Sequence, residues 1–440
     1  MKYYLLLALL LPFSALGIEF EGASQKPVEV KAEASSGLNG IYVVADTYGM
    51  SMVYTAGSST GEVVCKKYSR MGASYAEEIS SRRDGAKVTV SCEPGDMGYV
   101  FEENGRSQYF WIINYADHFL DLEAINLSAE QDCDRTHFDF TGKAAALEAF
   151  SPLGRRIVVS RDLKLEYSTL SFDEESFTYR QERATTTLDG IESTFSVDAP
   201  LCDTSFELTG DRFLQAWGQE QSVESATFTT LNVAAETRAT QAERNNDNEQ
   251  RVEAELGGSA PVDITFEAAV SDAAIFAEWQ ISRMADFSDV INSFSEHEFT
   301  YTFTEQGTTY VRFTANNADG TCPFEGDVYQ VMIGESKLDI PNAFSPGTSP
   351  GVNDEWKVSY KSLVSYKCTI VNRWGKKLFE SDNPAEGWDG MIGGKPVPAG
   401  VYFYVIKAVG ADGVKYNKAG DINVIGFKDN TTNSNNTDTE

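Results

Sequence analysis

Short runs rich in Tyr, Phe, Val and Thr recur along this chain of 440 residues, and no long helical periodicity interrupts them. Alternation of apolar and polar residues over such runs marks strands with one buried face. Turn signals such as Asp84-Gly85, Pro94-Gly95-Asp96 and Asn104-Gly105 separate the runs. The pattern predicts an all-β chain built from several small sandwich domains. The best helical candidate is one alanine-rich piece, Gly142 to Phe150.

The ends read differently from the middle. Residues 1–17 have the form of a cleaved signal peptide: Lys2, then the apolar run Leu5 to Phe13, then Ala15-Leu16-Gly17. Cleavage between Gly17 and Ile18 is expected, with no cysteine after the cut to take a lipid. No later stretch is apolar enough for a transmembrane helix, so the exported chain is expected not to span the membrane itself. Residues 18–36 read as a flexible lead-in, and 429–440, rich in Asn and Thr, as a disordered tail.

Charge divides the chain in two. The whole carries −30, from 66 acidic and 36 basic residues. Such a surface repels phosphate backbones and argues against nucleic-acid binding. Residues 336–428 hold 12 Lys and Arg against 9 Asp and Glu, a net of +3, so the remainder carries −33. A contrast of that size marks the end of the chain as a separate module.

Between the ends, residues 37–130 read as an N-terminal β-sandwich. A constant offset of 61 then relates Tyr167-Ser168-Thr169-Leu170 to Phe228-Thr229-Thr230-Leu231, and Glu175 and Arg183 to Glu236 and Arg244. The segments opening at Cys133-Asp134 and Cys202-Asp203 are also alike. Two tandem β repeats, 131–200 and 201–260, are expected. In the second, Glu236 to Arg251 would form an exposed hairpin with its tip at Asn245–Asn248. Six cysteines in an exported chain permit disulfides. Spacing favours Cys65 with Cys92, then Cys133 with Cys202, and leaves Cys322 and Cys368 as buried thiols.

Residues 261–335 contain Tyr301-Thr302-Phe303-Thr304-Glu305-Gln306-Gly307-Thr308-Thr309-Tyr310-Val311-Arg312-Phe313 and then Asn316-Asn317. This resembles the core hairpin of PKD-like domains, which are immunoglobulin-like sandwiches of extracellular proteins. Ala277 to Ser282 would supply a strand with Trp279 in the core. The fold class expected for the chain is therefore all-β, with tandem immunoglobulin/PKD-like β-sandwich domains ending in a small immunoglobulin-like domain.

Residues 336–428 carry the densest set of motifs. Pro341, Asn342, Phe344 and Pro346 open it, and Gly351, Asn353, Asp354 and Trp356 follow. Next come Asn372-Arg373-Trp374-Gly375, Phe379 and Trp388-Asp389-Gly390. Pro398-Ala399-Gly400, Tyr402 and Tyr404 close the set. Order and spacing resemble the gliding-motility-associated type B C-terminal sorting domain of substrates of the type IX secretion system of Bacteroidetes. That resemblance implies passage through the type IX translocon. It also implies retention at the surface by a PorP/SprF-like outer-membrane β-barrel protein. One departure is Gly347-Thr348-Ser349-Pro350-Gly351, where the family has an acidic, Asn-Gly-Asp-Gly-like loop. From packing alone, Trp374, Trp388, Tyr402 and Tyr404 are expected in the domain core.

Residues that would carry catalysis are sparse. His118, His137 and His297 are far apart and match no zinc spacing. Neither a Gly-x-Ser-x-Gly elbow nor a glycine-rich phosphate loop occurs. Asp132, Asp134 and Asp139, or Asp96, Glu102 and Glu103, match no calcium-loop spacing. Neither a catalytic residue nor a metal or cofactor is therefore expected. Tyr109-Phe110-Trp111 is the densest aromatic run and a candidate glycan platform. The expected function is that of a non-enzymatic surface protein, an accessory component of the secretion or gliding machinery similar to small PorA-like proteins. The alternatives are an adhesin or glycan-binding protein and, last, a secreted hydrolase.

Overall fold

The computed structural model describes residues 18–346, 351 and 353–425. The leader 1–17, most of the loop 347–352 and the tail 429–440 lie outside the described residues. The regular elements among the described residues are almost all strands, and the chain divides into two compact units. One holds the described residues up to Ser171 together with Arg180–Asn232. The other holds Phe172–Tyr179 and the described residues from Val233 onward.

The first unit begins with a two-sheet sandwich. Ile18–Glu21, Ser51–Thr55, Lys87–Ser91 and Arg82–Asp84 form one sheet in that order. The facing sheet has six strands, with Gly40–Val44, Arg106–Asn114, Met97–Glu103 and Val63–Tyr68 at its centre. Residues 18–36 are thus not a loose lead-in, because Ile18 pairs with Tyr54 and Val28–Val30 pairs with Gly40–Val44. Gly40–Val44 is buried at every position. Its reason is that both faces of the six-stranded sheet are covered. Tyr42, Val44, Phe110 and Ile112 point into the sandwich, whereas Ile41, Val43, Trp111 and Ile113 join a second core. A strand covered on both sides reads as a continuous apolar run rather than an alternating one.

That second core is shared with the next domain, through Phe138, Phe140, Leu147, Leu165, Phe206 and Leu208. The domain has one three-stranded sheet, Asp121–Leu127, Arg135–Lys143 and Thr194–Asp198. Its four-stranded partner has the order Thr178–Leu188, Leu163–Asp173, Phe206–Gly210, Gln221–Glu224. Here the expected tandem repeat fails. Leu163–Asp173 and Phe206–Gly210, from its two supposed copies, are neighbours in one sheet with Leu165 opposite Leu208. Residues 201–232 belong to the first unit and 233–260 to the second. The helical expectation at Gly142–Phe150 also fails, because Leu147–Phe150 pairs as a strand with Arg156–Val159. Among the described residues, the α-helix lies instead at Arg212–Ala216, capped by Asp211, whose carboxylate accepts from the Phe213 and Leu214 amides.

The disulfide expectations are corrected as well. Cys133 and Cys322 are the disulfide-bonded cysteines, while Cys65, Cys92, Cys202 and Cys368 carry thiols. Cys65 lies on the six-stranded sheet and Cys92 just past the end of Lys87–Ser91 in the facing sheet, and burial pushes the Cys92 thiol up to about 12. Neighbourhood in sequence pattern does not set the Cβ approach that a bridge needs. Cys322 is therefore not the thiol expected of it, whereas Cys368 is a buried thiol.

In the second unit, a sandwich forms around Phe266, Trp279, Val311, Phe313 and Val331. Trp279 is fully buried on Phe276–Ser282, and Val311 and Phe313 point inward where Tyr310 and Arg312 do not. The closing domain has a five-stranded sheet in the order Ala343–Phe344, Lys415–Val424, Gly400–Gly410, Leu363–Val371, Lys377–Ser381.

These two domains are joined by a docked segment. The expected exposed hairpin tip, Asn245–Asn248, instead lies along the edge strand Ser359–Lys361. The Gln250 amide donates to the Tyr360 carbonyl at 2.7 Å, and the Tyr360 amide to the Asn248 carbonyl at 3.1 Å. Asn248 Nδ2 donates to the Val358 and Pro384 carbonyls at 2.7 and 2.8 Å. Polar side chains that look solvent-facing in sequence are here the hydrogen bonds of a seam.

Candidate functional site on the C-terminal domain

The motif residues of the C-terminal domain separate into builders and presented groups. Trp356 and Trp388 are builders: each donates its amide to the other's carbonyl, at 2.9 and 3.0 Å. Trp356 Nε1 also donates to the Pro341 carbonyl at 2.7 Å. Trp388 packs against Phe344 and Tyr402, with ring centroids 5.5 and 5.4 Å away. Tyr402 is buried and donates its hydroxyl to the Pro398 carbonyl at 2.8 Å. Tyr404 is half-buried against Trp356.

Other motif positions shape turns. Asp389 accepts from the Met391 amide, and Gly390 takes a positive φ. Asn353 is left-handed, with its carbonyl accepting from the Ser345 amide. Asp354 accepts from the Gly351 amide. The Asn342 carbonyl accepts from Asn423, and Pro346 is buried. Pro398 and Ala399 are exposed ahead of Gly400, and Phe379 is half-buried. The departure at Gly347–Gly351 falls mostly outside the described residues.

The hairpin Asn372–Gly375 behaves otherwise. Asn372 Oδ1 accepts from the Trp374 and Lys376 amides, both at 3.0 Å. Gly375 adopts φ +77°, a conformation that L side chains resist. These two residues make the turn, and it presents Arg373 and Trp374. Trp374 is 81 % exposed, contrary to the expectation that it packs in the core. The Arg373 guanidinium sits 5.3 Å from its ring. An exposed indole held on a hydrogen-bonded turn adds nothing to the domain core.

The sheet beside it continues the apolar surface. Val401, Phe403 and Val405 are 41–46 % exposed, while Tyr402 and Ile406 on the same strand point inward. Phe403 lies opposite Val371, and Val405 opposite Thr369. Cross-strand partners share a face, so Val371, Phe403, Val401 and Val405 form one open apolar row. Lys367 and Lys407, also a cross-strand pair, continue it. Glu380 is held below the usual carboxylate range by hydrogen bonds from Lys377 and Lys367. The module that carries net positive charge thus combines an apolar row, a presented Trp and flanking cations.

Outside this domain, the candidate sites become structural. Phe110 and Trp111 are buried in two cores and Tyr109 is half-buried, so the aromatic run is no glycan platform. Asp96 accepts from the Asn114 amide and lies 2.7 Å from His118 Nε2, which raises the imidazole pKa above its ordinary value. Asp132 pairs with His137, Glu102 with Lys66, and Glu103 accepts from Gly57 and Tyr54. No group of three His, Cys, Asp or Glu among the described residues could hold a metal ion. Among those residues, no helix is long and apolar enough to cross a membrane. Sequence reasoning missed the buried pair Arg161–Asp211, 2.6 Å apart, which Tyr115 joins through a 3.0 Å hydrogen bond to Asp211. Fifty residues separate the ion pair, and no local pattern announces it.

Residues 338–424 match the family model of the CHU_C type IX secretion signal domain. Residues 126–225 match that of a fibronectin type III domain. The latter spans the boundary once expected between two repeats. No curated protein matches the chain. Among solved structures, it is similar to a tetra-tandem repeat from the extending region of a large adhesion protein. That match has 11 % identity and a TM-score of 0.21, covering 85 % of this chain and 94 % of that one. It is similar also to three N-terminal domains of the bacteriophage RB49 highly immunogenic outer capsid protein. There the identity is 13 % and the TM-score 0.22, covering 69 % and 100 %. Dimeric latent PorU from Porphyromonas gingivalis matches at 10 % identity and a TM-score of 0.15, covering 72 % and 35 %. TM-scores of this size carry no argument about function. The chain is thus a run of immunoglobulin-type sandwiches ending in a type IX secretion signal domain, an address for export to the cell surface or beyond.

Proposed function

We propose that this is a non-enzymatic cell-surface protein, exported by the type IX translocon and retained through its C-terminal domain. Its retaining partner is a PorP/SprF-like outer-membrane β-barrel protein. Its role is that of an accessory component of the secretion or gliding machinery, and its third sandwich is of the PKD-like kind. The observation that carries this reading is the presented Trp374 beside the open row Val401, Phe403 and Val405, on a matched secretion-signal domain. That the domain buries its other two tryptophans and holds this one at 81 % exposure supports a contact role for it.

The test is a photo-crosslinking residue at position 374, with an equivalent one at the exposed Tyr48 as control. A crosslink from 374 to an outer-membrane barrel, absent from position 48, is expected. Equal crosslinking from both positions, or none to a barrel, overturns the assignment. A deletion strain separates the roles. General loss of type IX secretion supports the machinery role, whereas intact secretion with lost attachment means an adhesin.

A further inference from the structure

Two loops of the first unit form a projection of unusual chemistry. Ser69 to Ala76 and Phe150 to Arg156 contain Arg70, Arg155 and Arg156 and no carboxylate, in a chain of net −30. Leu153 is 91 % exposed, Tyr75 70 % and Met71 63 %. Apolar side chains of this size rarely stand so far into water together without a partner.

The loops are clamped to each other. The Ala73 amide donates to the Pro152 carbonyl at 2.7 Å. A Cβ on Gly72 would lie 2.8 Å from the Gly154 amide nitrogen, so the backbones meet where only glycine fits. Ser151 fixes the second turn, its hydroxyl accepting from the Leu153 and Arg155 amides at 3.3 and 3.0 Å. Phe150 anchors that turn on Trp111 beneath. Leu153, Met71 and Tyr75 are therefore held outward by a built backbone. Of the cations, Arg156 is paired with Glu148 at 2.6 Å, and Arg70 and Arg155 are exposed.

We propose that this projection docks on an anionic lipid surface, one displaying phosphate-bearing headgroups. The apolar tips stand on turns rather than lining a groove, which suits insertion between lipid headgroups. A tyrosine ring and aliphatic tips favour the interfacial layer, and arginines flanking them reach headgroup phosphates. Charge complementarity selects the surface. The rest of the first unit is acidic and is repelled by an anionic membrane, so within that unit approach through these two carboxylate-free loops is the favoured orientation. The inference is independent of the C-terminal partner.

The test is flotation of the full chain with vesicles of phosphatidylcholine alone and with phosphatidylglycerol added. Binding to the anionic vesicles is expected, weakened by about 0.5 M salt, because exposed charges are then screened. R70E/R155E should lower the bound fraction at least about tenfold. M71S/Y75S/L153S should abolish binding, with an unchanged unfolding transition showing that the fold is kept. Equal binding to neutral vesicles, no binding to either, or variants that bind like the parent overturn the proposal. So does self-association that M71S/Y75S/L153S removes, since the projection would then cover a second copy.

Discussion

Trp374 and Trp388 sit fourteen positions apart in one motif set and should respond oppositely to removal. Trp374 has about a fifth of its surface covered, since it is 81 % exposed. On a side chain of roughly 250 Å², at about 25 cal/mol per Å², that covering is worth about 1 kcal/mol. The Arg373 contact adds at most about 1 kcal/mol at an exposed site. Trp388 is 1 % exposed and packs on Phe344 and Tyr402. Its truncation leaves a cavity and costs about 3–5 kcal/mol. In a unit of this size that corresponds to a melting point about 10 °C lower. Thermal unfolding of the two alanine variants measures the difference. Surface retention, read by protease accessibility and fractionation of cells, measures the consequence. W374A should melt within a few degrees of the parent yet be released into the medium. W388A should be lost through misfolding. If W374A melts as low as W388A, or melts normally and stays on the surface, the division into builder and presented residue is wrong.

Three further outcomes are expected. Arg161→Met leaves the fully buried Asp211 carboxylate without its cation and should cost the first unit about 3–5 kcal/mol in chemical denaturation. His118 has its pKa raised by the hydrogen bond to Asp96. Its contribution is complete below the ordinary value of 6.5 and is lost as pH rises through the higher folded value, so stability should fall across that interval. His118→Gln should flatten the dependence in melts taken across it. Thiol labelling of the unfolded, unreduced chain, read by mass spectrometry, should modify Cys65, Cys92, Cys202 and Cys368 and spare Cys133 and Cys322.

The all-β class was legible because alternation and turn residues are local signals, and Trp279, Val311 and Phe313 behave as their strands suggested. The C-terminal domain was legible from the order of its motifs, and residues 338–424 match the corresponding family model. What the sequence concealed is non-local. The like segments opening at Cys133 and Cys202 are real strands at Arg135–Lys143 and Phe206–Gly210, but similar strands within one sandwich look like a repeat until their pairing is known. The cysteines misled for the same reason, since a bridge depends on approach in space. Asn246 and Asn248 read as part of a polar tip because nothing local reveals that a strand edge lies against them. Trp374 is the reverse case: hydrophobicity argued for the core, and the turn built by Asn372 and Gly375 holds it out.

The C-terminal secretion-signal domain is the address of the chain. The most direct test of that role removes residues 336–440 and follows the truncated protein by cell fractionation and surface protease digestion. Accumulation inside the outer membrane, with a fold that still resists protease after lysis, is the predicted result. A truncated protein that still reaches the surface would contradict the account.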